Sequence, residues 1–84
     1  MKFCMITFRS VTPAQRGEML LRRAGMDCTI QRTPRWMEEQ GCGYSLKVNC
    51  QDVARALDVL RANDVSFRKV YLRRENGKLE ELAL

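Results

Sequence analysis

Apolar and polar positions along this chain switch between the two-residue period of a strand and the 3.6-residue period of a helix. Residues 2–8, Lys-Phe-Cys-Met-Ile-Thr-Phe, are apolar on both faces of an extended chain. That is the pattern of a strand inside a sheet. In "SVTPAQRGEMLLRRAG" the positions Ala14, Gly17, Leu20, Leu21 and Ala24 share one helical face. Thr12 is expected to cap this helix, with Pro13 in its first position, Gln15 closing a capping box and Gly25 as its stop. Gly17 costs helix propensity, so the expectation is that it brings the helix close to the sheet.

Residues 27–32 read as a short strand with Cys28 and Ile30 on one face, followed by the polar loop "TPRWMEEQG" over 33–41. Residues 43–48 alternate, with Tyr44, Leu46 and Val48 on one side and Ser45 and Lys47 on the other. A second helix is expected over residues 51–62, where Val53, Ala56, Leu57 and Leu60 form a stripe. Asn49 with Asp52 caps its start and Asn63 its end. A last strand is expected over 65–72, with imperfect alternation that points to a bulge. In residues 73–84, Asn76-Gly77 favours a tight turn, which leaves a short hairpin or a frayed extension open.

The order is β-α-β-β-α-β. Its economical solution is an α+β, ferredoxin-like fold: a four-stranded antiparallel sheet with both helices on one face. With 84 residues, one domain is expected, covering residues 1–72 and followed by the extension. Hydrophobic residues make up 45% and charged residues 30%, the balance of a soluble globular chain rather than a disordered one. No apolar run is long enough to span a bilayer, and "MKFCMI" lacks the apolar core and cleavage site of a signal peptide. The expected location is the cytoplasm, with no membrane partner.

The net charge of +5 rests mainly on eleven arginines. Most of them read as solvated surface, and the charge favours encounter with acidic partners. A nucleic-acid partner is not expected, because the outward strand positions carry few aromatics and no RNP-like run. The chain has no histidine, and its four cysteines contain no C-x-x-C pair, so neither a metal nor another cofactor is expected.

The chemistry therefore turns on cysteine. Cys4 and Cys28 lie in strands and read as small buried hydrophobes, and Cys50 as structural. Cys42 differs, because it stands between Gly41 and Gly43 where the polar loop becomes a strand. The expected topology puts the 33–42 loop at the sheet end that also carries Arg9 and the start of the first helix. Arg9, Arg35 and the helix terminus would favour a thiolate there, and the glycines leave the sulfur unshielded. Glu38 and Glu39 act against that activation. The same topology sends Cys50 to the opposite end, so no Cys42–Cys50 disulfide is expected. From position alone, a turn cysteine without a role stands level with a reactive one.

Four segments carry a resemblance: "ITF" at 6–8, "AGMDCTIQRTPR" at 24–35, "GCGYSLKV" at 41–48 and "ALDVLRANDV" at 56–65. Over residues 2–72 the chain resembles the family of selenium/sulfur carrier-like proteins. The resemblance implies a persulfide or perselenide held on Cys42 and passed to a partner enzyme. Donor and acceptor proteins of selenium or sulfur are then the partners. Arg35, Pro34, Arg9, Gly41 and Gly43 would support the thiol, with Trp36 and Met37 as a contact for the partner. The alternative is a non-catalytic ligand-binding or protein-docking ferredoxin-like module. A stand-alone enzyme is not expected, since neither a histidine base nor a carboxylate pair opposes Cys42. A homodimer through the open sheet face is compatible with this fold.

Overall fold

The computed structural model describes residues 2–32, 43–73 and 79–82. Its order is β1 (Phe3–Phe8), α1 (Val11–Arg23), β2 (Cys28–Arg32), β3 (Tyr44–Asn49), α2 (Val53–Ala62), β4 (Val70–Arg73) and β5 (Leu79–Leu82). A 3-10 turn, Cys50–Asp52, leads from β3 into α2. The strands form one antiparallel sheet in the order β2-β3-β1-β4-β5.

The sheet thus has five strands, where the hydrophobic pattern suggested four. The added strand comes from the C-terminal extension, with Val70 opposite Leu82 and Arg73 opposite Leu79. Without it β4 would be an edge with unpaired backbone groups. Leu82 also packs against the core, and Lys69 Nζ meets Glu81 Oε1 at 3.1 Å.

One core joins all layers. Ile6, Phe8, Leu21, Leu46 and Leu60 are fully buried within it. Since α1 and α2 both contribute to this cluster, both helices cover the same sheet face. Gly17 lets α1 sit down on it: a Cβ there would lie 3.1 Å from Leu46 Cδ1 and 3.1 Å from Leu60 Cδ2. Of the expected α2 stripe, Ala56, Leu57 and Leu60 are buried.

Local details correct the helix starts. The first helix begins at Val11 with Ser10 as N-cap, not Thr12, and Ser10 makes no side-chain cap bond. Pro13 is accommodated because N–H groups of the first turn have no partner within the helix. The second begins as the 3-10 turn, where Asn49 Oδ1 accepts from the Gln51 amide at 3.1 Å. Both helices end alike. Gly25 at φ 84° follows α1 and Asp64 at φ 55° follows α2. The Met26 amide reaches back to the Leu21 carbonyl, and the Val65 amide to that of Leu60, each at 2.9 Å.

The strand expected over 65–72 is β4, and it is shorter, starting at Val70 rather than 65. Just before it, Thr7 faces two residues at once. Its carbonyl accepts from the Arg68 amide at 2.7 Å and its amide donates to the Lys69 carbonyl at 2.8 Å. Two residues against one is the arrangement of a bulge. The Thr7 hydroxyl completes it, accepting from the Lys69 amide at 3.0 Å. At the other end of the sheet, side chains of α1 cover the outer edge of β2. Glu18 Oε2 accepts from the Ile30 amide at 3.1 Å, and Arg22 donates to the Cys28 carbonyl at 3.0 Å.

Candidate functional site

The register defines the sheet end where the Gly-Cys-Gly segment begins. Phe8 pairs with Tyr44, and Arg32 with Tyr44 from the other side. The end of β1, the end of β2 and the start of β3 therefore meet at one edge, and α1 begins there at Val11. Gly43 lies here and is buried, while Arg9 is exposed in the bend between β1 and α1. These two expected site residues are brought to the same end. Pro34, Arg35, Trp36, Met37, Gly41 and Cys42 lie outside the described residues. Cys50 follows β3 and so lies at the opposite end from Gly43.

Two buried polar residues stand next to this edge. Ser45, placed by alternation on the side of Lys47, is fully buried, and among the described residues its hydroxyl has no hydrogen-bond partner. Thr7, paired with Ser45 across the strands, is buried as well. Both stand on the sheet face opposite the helices, as does the buried Met5. Alternation assigns a residue to a face but does not tell whether that face is covered.

The larger surprise is at the other end. Cys4 and Cys50, 46 residues apart in sequence, have their sulfurs 2.6 Å apart. Cys4 pairs with Val48 across β1 and β3, on the core face. Two residues later the chain leaves the strand as the 3-10 turn, and the Cys50 amide donates to the Lys2 carbonyl at 3.2 Å. This bond holds Cys50 one step past the ladder, on the Cys4 side. A signal was present in the sequence, since positions 48 and 50 share a face, but only the register of β1 against β3 supplies the partner.

The two thiols differ in access. Cys4 is 1% exposed, whereas Cys50 is partly exposed. Burial pushes the Cys4 thiol up from 9.0 to about 12, and the hydrogen bond and charge of Cys50 add to the rise. The consequence has a definite sign. An unfolded chain releases the Cys4 proton near its ordinary value, and the folded chain retains it. This contribution to stability is whole below about pH 9 and declines as pH climbs toward about 12. Urea midpoints measured between pH 8 and pH 11 should therefore fall more steeply for the natural chain than for Cys4→Val. Equal slopes would mean that Cys4 ionises freely in the fold.

Cys28 is pushed up by burial as well, partly offset by Arg22, and its Sγ lies 3.6 Å from the Glu18 carbonyl oxygen. It is a core thiol, as its strand position suggested. A cleft of about 620 Å³ lies beside it, lined among others by Phe3, Arg22, Lys47, Asn49 and Asp52. Lys47 Nζ stands 4.1 Å over the Phe3 ring. Among the described residues, no group of three or more metal-binding side chains occurs, and no helix is long and apolar enough to cross a membrane.

A family model described as "Putative Se/S carrier protein-like" matches residues 3–72. The match includes both edges of the sheet end just described and the whole "GCG" segment. No curated protein matches this chain.

Proposed function

Because this chain belongs to the Se/S carrier protein-like family, we propose that it carries a sulfur or selenium atom on the Cys42 thiol between a donor and an acceptor protein. The family match is the observation that carries the reading, since it spans the segment in which Cys42 stands between two glycines. The geometry around the segment supports it. Gly43 enters β3 beside the end of β1, next to exposed Arg9 and the start of α1. A helix N-terminus and an arginine both favour an anionic sulfur.

The chemistry is one exchange in each direction. The Cys42 thiolate attacks the terminal sulfur of a donor persulfide, the donor S–S bond breaks, and the donor leaves as a thiolate. The terminal atom now sits on Cys42 as a persulfide, or as its selenium counterpart. An acceptor nucleophile takes that atom and returns the Cys42 thiolate. In this reading Arg35 and the amides flanking Cys42 steady the charged cargo, with Pro34 in support, and Trp36 with Met37 meets the partner. The β-α-β-β-α-β portion serves as a ferredoxin-like carrier domain, extended by β5. The sheet face bearing Phe3 and Lys47 is where a second copy would pair.

The test is intact mass after incubation with a sulfane-sulfur or selenium donor. On the peptide that contains Cys42 the natural chain should gain one chalcogen atom that dithiothreitol removes, and Cys42→Ser should lose that gain. Equal loading at position 42 is impossible in the serine variant, so the peptide map decides. If no modified peptide in the natural chain contains Cys42, the protein is a ligand-binding or docking module instead.

A further inference from the structure

The Cys4–Cys50 pair is not used by the carrier reading, and it stands at the opposite end of β3 from Gly43. Its two sulfurs touch at 2.6 Å, well inside ordinary nonbonded contact. A pair this close is positioned for a bond between the sulfurs. The access is one-sided: Cys50 is partly exposed at the edge of the core, while Cys4 is sealed within it. Cys4 can therefore react only with what Cys50 brings to it.

We propose that Cys50 and Cys4 form a second sulfur site, which takes the sulfane sulfur of a small-molecule persulfide and releases it as sulfide. In the first step the Cys50 sulfur attacks the terminal sulfur of the persulfide. The S–S bond of the donor breaks, the donor departs as a thiol, and Cys50 holds a persulfide. In the second step the Cys4 sulfur attacks Cys50 Sγ, the inner sulfur of that persulfide. The bond between the inner and terminal sulfurs breaks, and its electron pair leaves with the terminal atom. That atom takes the proton of Cys4 and departs as hydrogen sulfide, and a Cys4–Cys50 disulfide remains. Two thiols are oxidised and one sulfane sulfur is reduced, so the persulfide supplies all the oxidising equivalents. A dithiol reductant restores the pair. The same sequence with a perselenide releases selenide.

The contact decides between relay and release. A relay leaves the terminal sulfur for an outside acceptor. Here Cys4 already lies against Cys50 Sγ, the atom whose attack expels the terminal sulfur. The 3-10 turn gives the geometry a fixed origin, since the Cys50 amide is bonded to the carbonyl of Lys2, the residue just before the strand that carries Cys4.

The proposal is tested in the full chain carrying Cys42→Ser, so that the outcome does not depend on the carrier reading. The reduced protein is mixed without oxygen with one equivalent of glutathione persulfide. The expected intact mass is lower by two hydrogens, the peptide map joins Cys4 to Cys50, and one sulfide appears for each disulfide formed. Adding Cys4→Ala should stop the sequence halfway, leaving one extra sulfur on Cys50 and no disulfide. Adding Cys50→Ser, at a partly exposed position that folding tolerates better, should give neither disulfide nor sulfide above the protein-free control. A persulfide that persists on Cys50 beside a reduced Cys4 overturns the proposal, as does an unmodified Cys50 or a disulfide through Cys28.

Discussion

Phe8→Ala should lower folding stability by about 3–5 kcal/mol, the usual range for removing a buried aromatic ring. Phe8 is fully buried, it closes β1, and its Cζ faces Gly17 of α1. The ring thus joins the sheet to the first helix at the end where Arg9 and Gly43 stand. An 84-residue domain buries a smaller share of its surface than a larger one. Natural domains have about 5–15 kcal/mol to lose, so this single truncation removes a large part of the total. Urea unfolding followed by far-UV circular dichroism gives the value. A loss below about 1 kcal/mol would mean that the ring is not packed as described.

Gly17→Leu should destabilise by about 3 kcal/mol, at the upper end of the usual overpacking range. The first added carbon would already lie 3.1 Å from both Leu46 Cδ1 and Leu60 Cδ2, and 3.4 Å from Phe8 Cζ. Those three neighbours are ends of side chains, so for Gly17→Ala they need to give only a few tenths of an ångström. The gain in helix propensity, about 1 kcal/mol, offsets that strain, and Gly17→Ala should end near neutral. Three further carbons have no such remedy. They must push α1 off β3 and away from α2 together, because Gly17 faces both. Comparing the urea midpoints of the alanine and leucine variants separates helix propensity from packing. Equal midpoints would show that α1 does not approach the sheet this closely.

Gly17 was legible early for the same reason. A glycine on the apolar face of a helical pattern lowers propensity, and close packing is a common physical reason for accepting that cost. Gly25 was equally readable, since its φ of 84° is one that residues with a Cβ rarely adopt. The α2 stripe was visible because three of its four positions face the core through a fixed 3.6-residue period. The start of α1 was misread by two residues. Ser10, Thr12 and Pro13 all carry starting signals, and local chemistry alone does not rank them.

The candidate site divides in the same manner. Glycine on both sides of Cys42 is a local feature, and it marked the segment at once. The convergence of Gly43, Arg9 and the start of α1 needed only the order of elements and the antiparallel sense of β3. Cys4 and Cys50 gave only half a signal, the shared face of positions 48 and 50, because the register that brings Cys4 to that face is not local. Each looked like an isolated small residue, one in a strand and one before a helix.

By itself, then, the sequence determined the alternation of two helices with strands, the faces they bury, the helix stop at Gly25 and the Gly-Cys-Gly segment. All of these follow from spacings of a few residues, where covalent geometry sets which side chains share a face. Only the tertiary structure decided the fifth strand, the burial of Ser45 and the meeting of Cys4 with Cys50. Each depends on which strand lies beside which and in what register. Register is chosen by the whole core at once, and a shift of one residue would turn Cys4 to the opposite face from Cys50.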